Sequence, residues 1–307
     1  MNWCSRSRRE LSPRRASPER NITNTGMPLF LLQLSGELRK LFSRKRTYIG
    51  FGAFLLIELL VLALLQLPKV QRSFERLIER AGYGFEEYFS GLTLAFLMVT
   101  WTIFFLGALY LSLVAGDVVS KEVEEGTMRM MLCRPVSRIR LLTVKYLACL
   151  IYTFALIFFI GFTALAAGLL RQGVGGLFVF APLEGIFALY EFREGLGRFL
   201  AALPLLGLSL VCVTSLGFML SCFNMKPAAA TIVTLSIFFV DMIFRGIPYF
   251  ESIREWFMTA HMATWLNVFR PHVPVLQMLE DYTYLLAVDL TFVVIGMAQF
   301  QRRDLKS

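Results

Sequence analysis

The stretch LLTVKYLACLIYTFALIFFIGFTALAAGLL, residues 141–170, contains a single charged side chain, Lys145. A helix that crosses about 30 Å of hydrocarbon needs roughly 20 mostly apolar residues, and this stretch is longer than that. The rest of the chain has the same character: 56% of its 307 residues are hydrophobic, 17% are charged, and the mean hydropathy is +0.61. Such a composition predicts a protein whose solvent is the lipid bilayer.

Five further stretches pass the same length test, so the predicted fold class is all-α, a polytopic membrane protein with six transmembrane helices. Barrel strands would be about half as long. Two other apolar stretches, 173–190 and 256–269, are interrupted or too short, and we expect them to be interfacial or re-entrant pieces on the outer face. The predicted spans are about residues 47–67, 91–115, 141–170, 199–222, 228–244 and 282–300.

The chain before the first span divides into two parts. Residues 1–26 are rich in Arg, Ser and Pro and have no apolar core of a signal peptide, so we expect a disordered basic tail, with Met27 as an alternative start of translation. Residues 27–46 predict an amphipathic helix on the inner membrane surface, because four apolar side chains share one helical face. These are Phe30, Leu34, Leu38 and Leu41. Residues 47–307 form the six-span domain.

The positive charges are distributed unevenly between the two sides of this arrangement. In the six-span assignment, 21 of the 31 Lys and Arg residues lie on the side that holds both chain ends, and 10 lie on the other side. The positive-inside rule therefore predicts that both termini are cytoplasmic. The net charge of +9 is a topology signal of this kind and does not indicate nucleic-acid binding, since the basic residues cluster at span ends without interleaved aromatic residues.

The charged segment KEVEEGTMRMMLCRPVSR, residues 121–138, lies between the second and third spans. The acidic run from Glu122 to Glu125 predicts a solvated extension of the second span, which Gly126 ends. Thr127 is placed to cap a short helix. Pro135 would end that helix, and Ser137 would cap the third span, whose Arg138, Arg140 and Lys145 would reach the headgroups.

The short helix would place methionine and leucine side chains on one exposed face, which water leaves unsatisfied and a protein groove would cover. The segment is therefore a candidate docking element; the alternative is a plain turn whose methionines fold back onto the spans. The candidate coupling residues are Glu122, Glu125, Gly126, Thr127, Met128, Met131, Leu132, Pro135 and Arg138.

The same loop resembles that between the second and third spans of bacterial ATP-binding-cassette transporter permeases of the type-2 exporter class. The pattern consists of Asp117, Lys121-Glu122, Glu125-Gly126-Thr127, Arg134-Pro135-Val136-Ser137-Arg138 and Lys145, with a weaker likeness at the ending Phe300-Gln301-Arg302-Arg303-Asp304. Cys133 departs from the small or hydroxyl residue often found in such loops. The resemblance extends over most of residues 27–307.

This resemblance implies that the loop carries a coupling helix that docks on a separate ATPase subunit. The sequence contains no GxxxxGK[ST] phosphate loop, so we expect no catalytic residue and no bound cofactor in this chain, with ATP and Mg held by the partner. The implied assembly has two permease subunits, identical or different, with two ATPase subunits in a bacterial inner membrane. The transported substrate is not predicted.

Three acidic residues fall inside predicted spans, where each costs about 2.5–3.5 kcal/mol on insertion scales and is a candidate for function. Asp241 is four residues from Arg245, which predicts a local ion pair. Glu58 and Asp289 have no such cation and are candidates for a substrate pathway or for assembly. The scattered cysteines and two histidines predict no metal site and no disulfide framework.

Two other functions remain open from the residues alone. Buried carboxylates would also suit a stand-alone secondary transporter or channel, although the spans show no internal repeat. Alternatively, the chain would be a membrane anchor or assembly scaffold, in which the small residues of the third and fourth spans provide only packing surfaces.

Overall fold

A computed structural model describes residues 29–80, 84, 88–128 and 137–302 as a bundle of long helices with one small sheet. The helices are α1 (Leu29–Phe42), α2 (Lys45–Leu65), α3 (Pro68–Arg80), α4 (Gly91–Thr102), α5 (Ala108–Glu124), α6 (Arg138–Gln172), α7 (Phe192–Cys222), α8 (Pro227–Gly246), α9 (Met258–Met262) and α10 (Val275–Arg302). The strands are β1 (Leu177–Ala181) and β2 (Ile186–Tyr190).

Within the described residues, α2, α6, α7, α8 and α10 are individually long and apolar enough to cross a bilayer. The remaining predicted span is α4, which continues through a π-helix (Ile103–Gly107) into α5 without leaving helical backbone angles. The predicted class, an all-α polytopic membrane protein, is thus confirmed. The number of spans stays a prediction.

Local sequence signals explain where the helices begin and end. The hydroxyls of Ser90 and Ser137 accept hydrogen bonds from the backbone N–H groups of Leu92 and Arg140, and so cap α4 and α6. The cap at Ser137 agrees with the sequence prediction. Pro227 occupies the first turn of α8, where its missing N–H costs nothing.

Residues 173–190, for which the sequence predicts an interfacial or re-entrant piece, mostly form a β-hairpin. β1 and β2 are antiparallel, with Leu177 opposite Tyr190 and Ala181 opposite Ile186, and a 3₁₀ turn (Pro182–Glu184) joins them. The run is apolar because β1 is buried among the helices, and the hydrogen bonds of the hairpin satisfy its backbone. We call this end of the bundle the hairpin end.

The sequence analysis also missed α3, which follows the first span at the hairpin end. Its apolar residues recur with helical spacing: Ile78 is fully buried, and Phe74 packs against Phe89 and Phe178. Helix α3 and the hairpin therefore share one apolar core.

The opposite end of the bundle carries α1, and we call it the α1 end. Leu34 and Leu41 are buried, and Phe30 and Leu38 pack against the same core. These are the four residues of the predicted apolar face. Helix α1 lies mainly against α6, so it is attached to the bundle through the third predicted span.

Helices α4 and α6 approach each other most closely at a pair of glycines. A Cβ atom on Gly168 would lie 2.2 Å from the carbonyl oxygen of Gly91, and one on Gly91 would lie 2.6 Å from that of Gly168. Close backbone contact through small residues is a common way for helices to associate in lipid, where no hydrophobic force drives them together. The contact fixes the hairpin-end halves of both helices.

Replacing Gly168 by leucine should therefore destabilise the bundle by about 1–3 kcal/mol, because the side chain overfills a backbone–backbone contact. The thermal midpoint of the detergent-solubilised protein, followed by size-exclusion fluorescence, measures the effect. Gly52→Leu is the matched control, since a Cβ at Gly52 meets nothing within 4 Å. Equal midpoints for the two variants would contradict this packing account.

Candidate functional site

Four charged side chains from three helices meet at the α1 end. Lys145 Nζ on α6 lies 2.8 Å from Glu37 Oε2 on α1 and 2.7 Å from Glu122 Oε2 on α5. Lys40 on α1 makes a second ion pair with Glu122. We call these four residues the ion cluster. They carry two positive and two negative charges, so the cluster is neutral as a whole.

Burial makes this ion cluster unusual. The side chains of Lys145 and Glu122 are 0% and 2% exposed, respectively, whereas Lys40 is 39% exposed. A buried charge costs several kcal/mol of desolvation, which only close, well-placed counter-charges offset. Each member is therefore held in place by the others, and α1, α5 and α6 are fixed relative to one another.

Two sequence predictions about these residues are wrong. Glu122 does not lie on a solvated extension of the second span, and Lys145 does not reach the headgroups. Both turn inward because each provides the counter-charge that the other needs when α5 and α6 pack side by side. Helix α5 does extend to Glu124, as the acidic run predicts.

The α1 end also contains polar contacts between the first two predicted spans. Arg46, at the start of α2, pairs with Asp117 on α5. The hydroxyl of Tyr110 lies 2.8 Å from that of Tyr152 and 3.4 Å from the carbonyl oxygen of Thr47. The backbone N–H of Val119 donates to Ser221 on α7. Helix α5 is thus bonded to α2, α6 and α7 over its last four turns.

Directly after this tied helix, the backbone turns sharply. Gly126 has φ of +72°, in the left-handed region that favours glycine, and ends the helix as predicted. The hydroxyl of Thr127 donates back to the carbonyl oxygen of Glu122 at 3.2 Å. Met128 is fully buried in the core and is not exposed, which corrects the prediction for this residue. Its side chain fills space inside the bundle.

The other predicted coupling residues divide into two groups. Glu125 is exposed and lies 3.8 Å from Lys121, and Arg138 donates to the carbonyl oxygen of Gln301 on α10 at 3.2 Å. Met131, Leu132 and Pro135 lie outside the described residues, so the predicted methionine-rich face stays a prediction for them.

The charges around Glu122 also set its proton affinity. Burial alone would raise the pKa of this carboxyl, but the ammonium groups of Lys145 and Lys40 hold the pKa below its ordinary value. A carboxylate with a lowered pKa in the folded state stabilises the fold above its unfolded pKa. This stabilisation is lost as the pH falls through the folded pKa.

Asp241 is not the ion-pair partner of Arg245. Its carboxylate accepts the backbone N–H groups of Met258, at 3.2 Å, and Thr259, at 2.8 Å, and so caps α9. Arg245 pairs with Glu184 in the hairpin turn and donates to the Thr259 carbonyl oxygen. The irregular backbone at the hairpin end leaves N–H and C=O groups without backbone partners. The side chains of Asp241 and Arg245 form hydrogen bonds with these groups.

Glu58 and Asp289 are buried, but they lie in different parts of the bundle. Glu58 on α2 accepts a hydrogen bond from Thr163 on α6 at 3.0 Å. Asp289 on α10 faces Cys212 and Ser215 on α7, and its Oδ1 atom has no hydrogen-bond partner. The structure brings neither residue to the ion cluster.

Sequence reasoning missed the ion cluster, although one signal was present. A lysine four residues inside an apolar span requires a counter-charge, and Glu37 and Glu122 are among the acidic residues at the same end. Only the fold could select among them, because Glu37 and Lys145 are 108 residues apart in the chain.

Glu122→Gln should lower the free energy of unfolding by about 3–5 kcal/mol, because it leaves the buried Lys145 short of a counter-charge. Glu125→Gln is the control, at the residue that follows the same helix: it removes an exposed pair and should cost less than about 0.5 kcal/mol. Denaturant unfolding in detergent measures both variants. The difference in free energy of unfolding between wild type and Glu122→Gln should become smaller as the pH is lowered. A difference that becomes larger at low pH would contradict the lowered pKa of Glu122.

One protein-family model matches this sequence over most of its length. Residues 36–305 match the model of the ABC-2 family transporter protein, a range that includes the ion cluster and all of the helical bundle except the first seven residues of α1. No curated protein matched the sequence. Since the family model extends over most of the chain and agrees with its series of apolar helices, the chain belongs to the ABC-2 family, the membrane-embedded permease subunits of ATP-binding-cassette transporters.

Proposed function

We propose that this permease is the membrane-spanning subunit of an ATP-driven exporter and that it is coupled to separate ATPase subunits through residues 117–140. The family assignment supports the transporter class. The absence of a phosphate loop from the sequence supports a partner as the site of ATP hydrolysis. The assembly would contain two permease and two ATPase subunits in a bacterial inner membrane.

The bonding of α5 is the observation that carries the coupling proposal. A force applied beyond Gly126 acts on a helix end whose Glu122 is bonded to α1 and α6 and whose Asp117 is bonded to α2. Such a helix end moves together with its neighbours, because separating it would expose or unpair buried charges. The partner's nucleotide cycle would thereby move several spans as one rigid body.

Coupling also requires a surface for the ATPase. Glu125 and Gly126 are not buried, and the chain continues past Met128 into residues 129–136. The inward positions of Glu122 and Met128 support a role in transmitting the motion, whereas Glu125, Gly126 and Thr127 are proposed to contact the partner. Arg138 would link the far side of the loop to α10.

Replacing Gly126 and Thr127 by proline should uncouple the two subunits, since proline fixes φ near −65° where Gly126 has +72°. The expected result is loss of ATPase co-purification, or an ATPase rate in reconstituted complex that falls to that of the ATPase subunit alone. Gly185→Pro is the control, because Gly185 also has a positive φ, of 64°, but lies in the turn at the hairpin end. Unchanged co-purification and transport in the Gly126/Thr127 variant would exclude the docking proposal.

The proposal also requires the α1 end to be cytoplasmic. Cysteines introduced at the exposed positions Ser137 and Ser252 test this, in a background where Cys4 and Cys133 are serine; the other three cysteines are buried. In intact cells, a membrane-impermeant maleimide should label Ser252→Cys and should spare Ser137→Cys until the membrane is opened. The reverse pattern would place the coupling segment outside the cell and would refute the proposal.

A further inference from the structure

The middle of α10 carries a buried acid that the coupling mechanism does not use. Asp289 lies near the centre of this helix, about 20 Å from either end at 1.5 Å per residue. Its side chain is 9% exposed, and its Oδ1 atom is buried without a hydrogen-bond partner. Among the ion pairs of the described residues, none involves Asp289. A lone carboxylate in this position would be strongly unfavourable.

The surroundings of Asp289 consist of small polar groups without a positive charge. Cys212 and Ser215 on α7 face its carboxyl group, and both are buried. The Ser215 hydroxyl lies 2.9 Å from the Tyr146 hydroxyl on α6 and donates to the Val211 carbonyl oxygen at 3.0 Å. These groups can accompany a neutral carboxylic acid, but they do not neutralise a carboxylate.

We propose that Asp289, together with Ser215 and Cys212, forms a proton-binding site in the middle of the bundle, and that the proton is bound while α10 is packed against α7. The ligand is a proton and not a metal ion. Among the described residues no group of three His, Cys, Asp or Glu side chains could hold a metal. This inference does not depend on the ATPase partner.

The position of Asp289 on α10 links its protonation to the packing of α10 against α7. Tyr282, Asp289 and Gly296 are seven residues apart, which places them on one face of the helix. Tyr282 donates to the Leu205 carbonyl oxygen on α7 at 3.0 Å, and a Cβ on Gly296 would lie 3.0 Å from Met219 Cα. The acid therefore lies in the middle of a close α7–α10 contact. Loss of its proton would put a charge there and favour separation of the two helices.

The other ionisable groups near this contact do not supply a counter-charge. Tyr146 on α6 and Cys212 on α7 are neutral, and the hairpin-end pair of His261 and Asp281 lies two turns away along α10. The Asp241 side chain on α8 is occupied by the backbone N–H groups of α9. The protonation of Asp289 is thus set mainly by its burial and by the α7–α10 contact.

Infrared difference spectroscopy of the purified permease in lipid tests the proposal. The neutral carboxyl group should give a carbonyl stretch at neutral pH that decreases as the pH is raised and is missing in Asp289→Asn. Asp241→Asn is the matched control and should leave that band unchanged. A wild-type spectrum identical to that of Asp289→Asn throughout the titration would overturn the proposal, and so would removal of the band by sodium at constant pH.

A thermal measurement provides an independent reading. A proton bound in the folded state and released on unfolding makes wild-type stability fall as the pH rises. Asp289→Asn keeps the shape of the side chain without the ionisable group, so its thermal midpoint should lose this part of the pH dependence. An unchanged pH dependence in that variant would show that Asp289 does not bind the proton. Neither experiment contains the ATPase, so failure here is distinguishable from failure of the coupling proposal.

Discussion

The buried ammonium group of Lys145 is the constraint on which the α1 end depends. A lysine with no exposed surface must be surrounded by negative charge, and Glu37 and Glu122 provide it from two other helices. Helix α1 would otherwise be attached mainly by its apolar face and by the hydrogen bond from the Thr47 hydroxyl to the Leu41 carbonyl oxygen. With the ion cluster it is bound to the same two helices that flank the loop, so the surface helix and the bundle act together.

The two ends of the bundle use polar side chains for different purposes. At the α1 end, charges join helices that are regular throughout. At the hairpin end, they satisfy irregular backbone: Arg198 donates to the carbonyl oxygens of Val268 and Arg270 at 2.6 and 2.8 Å, and its guanidinium lies over the ring of Tyr190. The hairpin and the segment before α10 therefore form one cap. This arrangement keeps the cap fixed to α7.

Much of the fold followed from the sequence, because a long apolar run has few alternatives in lipid. The class of fold, the break at Gly126 and the cap at Ser137 depend only on neighbouring residues, and all three could be predicted. The hairpin could not be, because an apolar run of five residues suits a strand or a buried helix turn equally. The partners of Asp241 and Lys145 also could not be predicted. The sequence alone suggested Arg245 as the partner of Asp241 and the headgroups as the partners of Lys145. In the fold, Asp241 binds the backbone of α9, and Lys145 pairs with two carboxylates.

The π-helix between α4 and α5 affects which way the side chains of α5 face, because it contains one residue more than an α-helical turn would. Each residue of an α-helix turns it by about 100°, and the wider π-turn absorbs one extra residue without ending the rod. Before this turn, the rod packs against α6; after it, the rod packs mainly against α7 and α8. Deleting one residue from Ile103–Gly107 would convert the π-turn into an α-turn and would keep Asp117 and Glu122 facing Arg46 and Lys145. A deletion between Ala108 and Asp117, by contrast, would rotate both residues by about 100° away from these partners. The π-turn is therefore the place in this rod where the loss of a single residue disturbs the ion pairs least.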